Sequence, residues 1–201
     1  MDLRSVTLAA FLDSLGAKTP APGGGAAASV VGAVGAALAQ MVISYSLGKK
    51  SLAPHQTELE AARASLDRAR AVLIELAEED AAGYAALNEL RKLPEADPRR
   101  VREEPSALAA SVNAPRATAA ACADLLRLLE RLVPITNPGL KSDLAVAAVL
   151  ALAGVESAWW NVTANLALLP EPERARLERD GQALIEDAAA RSRRVQAACR
   201  A

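Results

Sequence analysis

Between Lys18 and Lys49 the chain runs for 30 residues, Thr19 to Gly48, without a charged side chain. It opens on "TPAPGGG" and continues as "AAASVVGAVGAALAQMVISYSLG". A stretch of this kind has few fates. It crosses a membrane, for which about 20 apolar residues suffice, or it is wrapped by other helices on all sides. Its content favours the second. Ala, Gly and Ser dominate it, Ser29, Gln40, Ser44 and Ser46 interrupt it, and no aromatic belt frames both ends, whereas membrane helices rely on Leu, Ile, Val and Phe. Small residues at Ala28, Gly32, Gly35 and Ala36 let neighbouring backbones come close. The expectation is a central bundle helix and no membrane partner.

The rest of the chain has the composition of helices that would surround it. Hydrophobic residues make up 52% but aromatics only 2%, so the apolar mass is Ala, Leu and Val, suited to close helix packing. The expected fold is all-α: one helical bundle of about five to seven helices in a single domain, 1–201, with no strand. Lys plus Arg number 23 against 24 Asp plus Glu, interspersed with no basic stripe, which excludes a nucleic-acid partner. Cys122 and Cys199 form no CxxC, and the single His55 has no ligand companion at usable spacing. No metal site and no disulfide framework are expected, and the cytoplasm is the expected location. The N-terminal "MDLRSVTLAAFLDSLG" lacks the pattern of a signal peptide; it reads as a short amphipathic helix with Leu3, Leu8, Phe11, Leu12 and Leu15 inward.

Leu59, Ala62, Leu66, Ala69, Leu73 and Leu76 alternate spacings of three and four, predicting a helix from about Gln56 to Arg91 with one face in the core. The same register then reaches Asp80, Gly83 beside Tyr84, Leu87 and Leu90. A carboxylate thus stands where the pattern calls for a hydrophobe. "KLPEADPRRVREEPSALAASVNAPR" carries four prolines and many charges and reads as a solvated loop with broken helical turns. A helix resumes over Ala117 to Val133. After "ITNPGLK", Ser142 or Asp143 caps a long helix running to about Leu168. Pro170 and Pro172 break it, and an amphipathic helix closes the chain.

Four features are candidates for chemistry. Burial raises a carboxyl pKa by disfavouring the charged form, and a carboxyl poised nearer neutrality suits general acid/base work; Asp80 fits that role, or equally a partly solvated position or a pairing with a core-facing Arg. Gly154, Ser157, Asn161 and Asn165 share one helix face and offer neutral donors and acceptors, for a heterocycle edge or for hydrogen bonds between helices. "PAPGGG" presents bare N–H groups at the positive end of a helix, where an anion or carbonyl docks, unless the glycines only permit a tight turn. It is neither a Walker A loop nor a dinucleotide fingerprint, lacking the Gly-Lys-Ser/Thr and the preceding strand. Lys49 and Lys50 fit the neutralisation of a helix C-terminus or the tail of an anionic ligand.

Taken in order, "TPAPGGGAAASVVGAVGAALAQMV" with "LGKK", "EEDAAGYAALNELRKLP", "TNPGLKSD" and "NVTANL" resemble the cyclodeaminase/cyclohydrolase family. That family comprises the C-terminal domain of formiminotransferase-cyclodeaminase and stand-alone bacterial methenyltetrahydrofolate cyclohydrolases. The resemblance implies an all-helical homodimer or larger assembly acting on a tetrahydrofolate derivative, without a metal or redox cofactor. It implies closure of a 5-formimino group to the 5,10-methenyl ring with loss of ammonia, or opening of that ring by water to 10-formyltetrahydrofolate. By the same resemblance Asp80 is the essential acid of a D-x-x-x-Phe/Tyr motif and Tyr84 its aromatic. Gly23, Gly24 and Gly25 are the glycine loop, Asp143 belongs to the Ser-Asp pair, and Asn161 and Asn165 are the paired asparagines; Lys49, in the matching "LGKK", stays a candidate for holding the anionic tail of the substrate. The chain departs from the pattern at Ala26, where many members have Ser, and at Glu95, where many have Lys.

Overall fold

The computed structural model describes residues 2–167 and 169–200. Among them are six α-helices and no strand: α1 Leu8–Gly16, α2 Gly24–Ser44, α3 Gln56–Arg91, α4 Pro98–Leu132, α5 Lys141–Leu166 and α6 Glu171–Arg200. Helices α2 to α5 form a four-helix arrangement in which each packs on its two neighbours and α2 lies diagonally opposite α4. α6 covers α5 and α4.

α2 is central because its residues are small. Ala26, Ala36, Ala39, Val42 and Ile43 are fully buried. At Gly32 an added Cβ would lie 2.5 Å from Cys122 Sγ of α4, and at Gly154 of α5 one would lie 2.6 Å from the same sulfur. Three helices therefore meet at one thiol, and that contact excludes two side chains. Burial pushes the Cys122 thiol up to about 12, so it serves as an apolar spacer. Ser29 and Thr118, also buried, satisfy one another at 2.8 Å across α2 and α4. Around this centre Leu59, Leu66, Leu73, Leu125, Leu126, Leu129, Leu144 and Val155 complete the core. α2 and the Pro138–Leu166 segment are each long and apolar enough to cross a membrane, yet more than half of the α2 window is buried against protein.

Helix α3 begins and ends where the three-four alternation places it, with Leu59, Ala62, Leu66, Leu73, Leu76, Leu87 and Leu90 buried. Three expectations are corrected. The proline-rich segment is the first half of α4, which runs unbroken from Pro98. Asp97 caps it, its side chain accepting from the Arg99 and Arg100 amides, and Pro98 takes the first-turn position that proline suits. Arg100 pairs with Glu104 within α4 at 2.7 Å, and Arg91 on the same Glu104 at 3.5 Å ties α4 to α3. In α1 only Phe11 is buried; Leu8 is 69% and Leu12 53% exposed, because this short helix meets the bundle on one narrow face. Ser142 and Asp143 lie inside the first turn of α5, whose cap position is Leu140. Asp143 suits that turn through the helix dipole. The expected end of α5 near Leu168 falls outside the described residues; the helix ends at Leu166.

Candidate active site

The amino end of α2, the middle of α3 and the carboxyl end of α5 converge on a cleft of about 260 Å³. Its walls are Pro20, Ala21 and Gly23 to Gly25, Asp80 and Tyr84 from α3, Ser111 from α4, and Asn161 and Asn165 from α5, with Asp80 its one charged residue. The helical register that carried Asp80 toward the core leaves it half-buried, facing the first turn of α2. A Cβ on Gly25 would overlap the carboxyl group. Glycine at 25 is thus a requirement of close approach, since only hydrogen fits between backbone and acid. Burial raises the Asp80 pKa, and the Ala26 backbone N–H donated to the carboxyl opposes this in part. Burial prevails, so the acid is held closer to neutrality than a solvated aspartate.

On the facing wall Asn161 donates one amide hydrogen to Ser157 O at 2.9 Å, and its Oδ1 lies 3.1 Å from where a Cβ on Gly24 would sit. Asn165 donates to Ser111 O at 3.0 Å and to Asn161 O at 3.2 Å. Both asparagines therefore bond to protein, and both line the cleft. Tyr84 stands at its edge, 47% exposed.

Gly23, Gly24, Gly25, Asp80, Tyr84, Asn161 and Asn165 are thus brought together. Lys49 and Asp143 are not among the lining residues. α2 and α5 run antiparallel, so the residues after α2 meet the turn before α5 at the opposite end. There Asn137 donates its backbone N–H to Ser46 Oγ at 2.9 Å. From Asp143 to Asn161 is 18 residues of helix, about 27 Å. Ala26 is fully buried and lines a neighbouring hollow with Ala77 and Ala81; it is not among the residues that line the acid cleft. Glu95 lies in the exposed turn before α4. Ser111 was not anticipated; its signal was Pro115, four residues further along a segment read as loop. Among the described residues no group of three or more His, Cys, Asp or Glu gathers as metal ligands would.

Fold and site define a class: all-helical proteins in which a glycine-opened central helix backs a half-buried carboxyl facing paired asparagines. The chain belongs to the formiminotransferase-cyclodeaminase family, whose model matches residues 7–180. It is 32% identical over 163 residues to the methenyltetrahydrofolate cyclohydrolase of Methylorubrum extorquens, covering 79% of this chain and 78% of that protein. It is 34% identical over 168 residues to the formimidoyltransferase-cyclodeaminase of Mus musculus, covering 82% of this chain but only 31% of that longer protein. The crystal structure of formiminotetrahydrofolate cyclodeaminase from Thermotoga maritima superimposes with a TM-score of 0.88 at 27% identity, covering 98% of this chain and 97% of that one.

Proposed function

We propose that this protein is a folate one-carbon enzyme that hydrolyses 5,10-methenyltetrahydrofolate to 10-formyltetrahydrofolate or cyclises 5-formiminotetrahydrofolate with release of ammonia, with Asp80 as general acid/base. The observation that carries the reading is the half-buried Asp80 carboxyl against bare Gly25 in a cleft whose other walls are neutral. In ring opening, water adds to the methenyl carbon and gives one proton to ionised Asp80; the bond from that carbon to N5 then breaks as N5 takes that proton, and the remaining hydroxyl proton passes to solvent as the formyl carbonyl forms. In ring closure N10 attacks the formimino carbon and its proton passes to the formimino nitrogen, which neutral Asp80 then protonates so that it leaves as ammonia. A raised pKa places one carboxyl within reach of both roles. Asn161 and Asn165 orient the heterocycle, and the exposed Tyr84 ring stacks on the aminobenzoyl portion as it leaves the cleft.

The chain aligns along most of both the M. extorquens cyclohydrolase and the T. maritima cyclodeaminase; the cyclohydrolase reaction is the first choice on the higher sequence identity, 32% against 27%. No metal or redox cofactor enters either route. The reading includes a cytoplasmic location and a homodimer; the apolar stripe that α2 leaves partly open at Val30, Val34 and Met41 supports the homodimer, and a monodisperse dimer recovered without detergent is its test. Supplying purified protein with each substrate decides the reaction. Loss of methenyl absorbance marks the cyclohydrolase, its appearance from the 5-formimino compound the cyclodeaminase, and folate binding without either rejects the catalytic reading. The pH profile reports Asp80's role. A base in ring opening loses rate as pH falls through its raised pKa; an acid in ring closure loses rate as pH rises through it.

A further inference from the structure

Helix α4 carries two interior prolines, Pro105 and Pro115. Each lacks the N–H that a helix would donate to the carbonyl four residues earlier, and each ring crowds that carbonyl outward. For Pro105 the deprived carbonyl belongs to Val101, a residue 63% exposed on the solvent face of the helix. For Pro115 it belongs to Ser111, which is buried and faces the cleft. A buried carbonyl without a partner is costly, and the partner it finds is the side chain of Asn165, whose Nδ2 donates to Ser111 O at 3.0 Å. The second Nδ2 hydrogen goes to Asn161 O at 3.2 Å. Both donors of the amide are then committed, while Oδ1 has no hydrogen-bond partner among the described residues and is not sealed off from the cleft.

We propose that Pro115 is a positioning residue: by freeing the Ser111 carbonyl it locks the Asn165 amide with its oxygen toward the cleft, making that residue a pure hydrogen-bond acceptor for a ligand N–H. Resting on the folate reading, the group recognised is the N–H edge of the pyrimidinone ring, and a heterocycle presenting an acceptor there is refused. Proline in the interior of α4 is therefore a device for making one acceptor on a different helix.

In Pro115→Ala the restored N–H competes for Ser111 O, and the Asn165 side-chain amide loses its anchor. Two readouts test this. In the ligand-free protein the Asn165 side-chain ¹⁵N–¹H resonances shift and exchange faster with solvent in Pro115→Ala, although removal of a mid-helix proline raises the melting temperature. In calorimetric titration with tetrahydrofolate, Pro115→Ala weakens binding roughly three- to tenfold, the loss of one hydrogen bond. Asn165→Ala weakens it at least as much, and Pro115→Ala adds nothing further in the Asn165→Ala background. Unchanged Asn165 resonances overturn the proposal, as do wild-type affinity in Pro115→Ala or additive losses in the double variant. If the wild-type protein binds no tetrahydrofolate, the folate reading fails by itself, and the ligand-free resonances still decide whether Pro115 holds Asn165.

Discussion

Gly25 and Gly32 lie two turns apart on the same charge-free helix, and neither tolerates a side chain, but for different reasons. At Gly25 the neighbour is a carboxyl group from α3; at Gly32 it is the thiol of Cys122 from α4. The first contact holds an acid against the positive end of a helix, beside an open cleft. The second only lets two helices meet in a dry core. A glycine-rich helix thus carries two messages in one composition. They separate according to what occupies the space where the Cβ would be.

Substitutions at the two positions therefore fail differently. Gly25→Ala displaces the Asp80 carboxyl and cuts turnover on the better folate substrate on the order of 100-fold or more, while thermal unfolding stays within a few degrees of wild type. A parallel loss of melting temperature at Gly25 would break the distinction. Gly32→Ala overpacks the core and costs about 1–3 kcal/mol in denaturant unfolding, with turnover per folded molecule retained. Adding Cys122→Ala to Gly32→Ala vacates the space the new methyl group needs, so the two costs combine to less than their sum. Strict additivity there would mean that the thiol is not what the methyl meets.

A smaller effect follows from the raised Asp80 pKa. A carboxyl held above its unfolded value contributes stability in the protonated form, present at low pH and lost as pH rises through the folded pKa. Wild type therefore loses stability relative to Asp80→Asn as pH increases from the ordinary carboxyl range toward neutrality, and the gap closes again on acidification. Paired melting curves across that range check the sign. A gap that widens on acidification would place Asp80 in an ion pair.

The sequence and the structure agree where the physical signal is local. Helix α3 was legible from a three-four alternation that each turn repeats, and Asp80 stood out because it interrupts that pattern. The Gly24–Gly25 opening of α2 was legible as bare backbone, though not the acid that fills the space. What was hidden depends on partners far away in the chain. The first half of α4 looks like a loop because Pro105, Pro115 and a run of charges argue against helix one residue at a time, while the Asp97 cap, the Arg91–Glu104 ion pair to α3 and burial of Val112 and Ala114 outweigh them. Leu8 and Leu12 point outward because α1 has too little bundle to cover them. Lys49 and Asp143 share the chain's motifs with Asp80, but antiparallel helices carry them to the other end, which spacing along the chain cannot reveal.

The central claim is that the carboxyl facing Gly25 moves the proton in folate chemistry. Its most direct test is the rate of change of 5,10-methenyltetrahydrofolate absorbance, in both reactions, for wild type and Asp80→Asn at matched folded concentration. A loss of at least about 100-fold is expected in the variant, with tetrahydrofolate affinity held within a few-fold. Undiminished turnover in Asp80→Asn would contradict it.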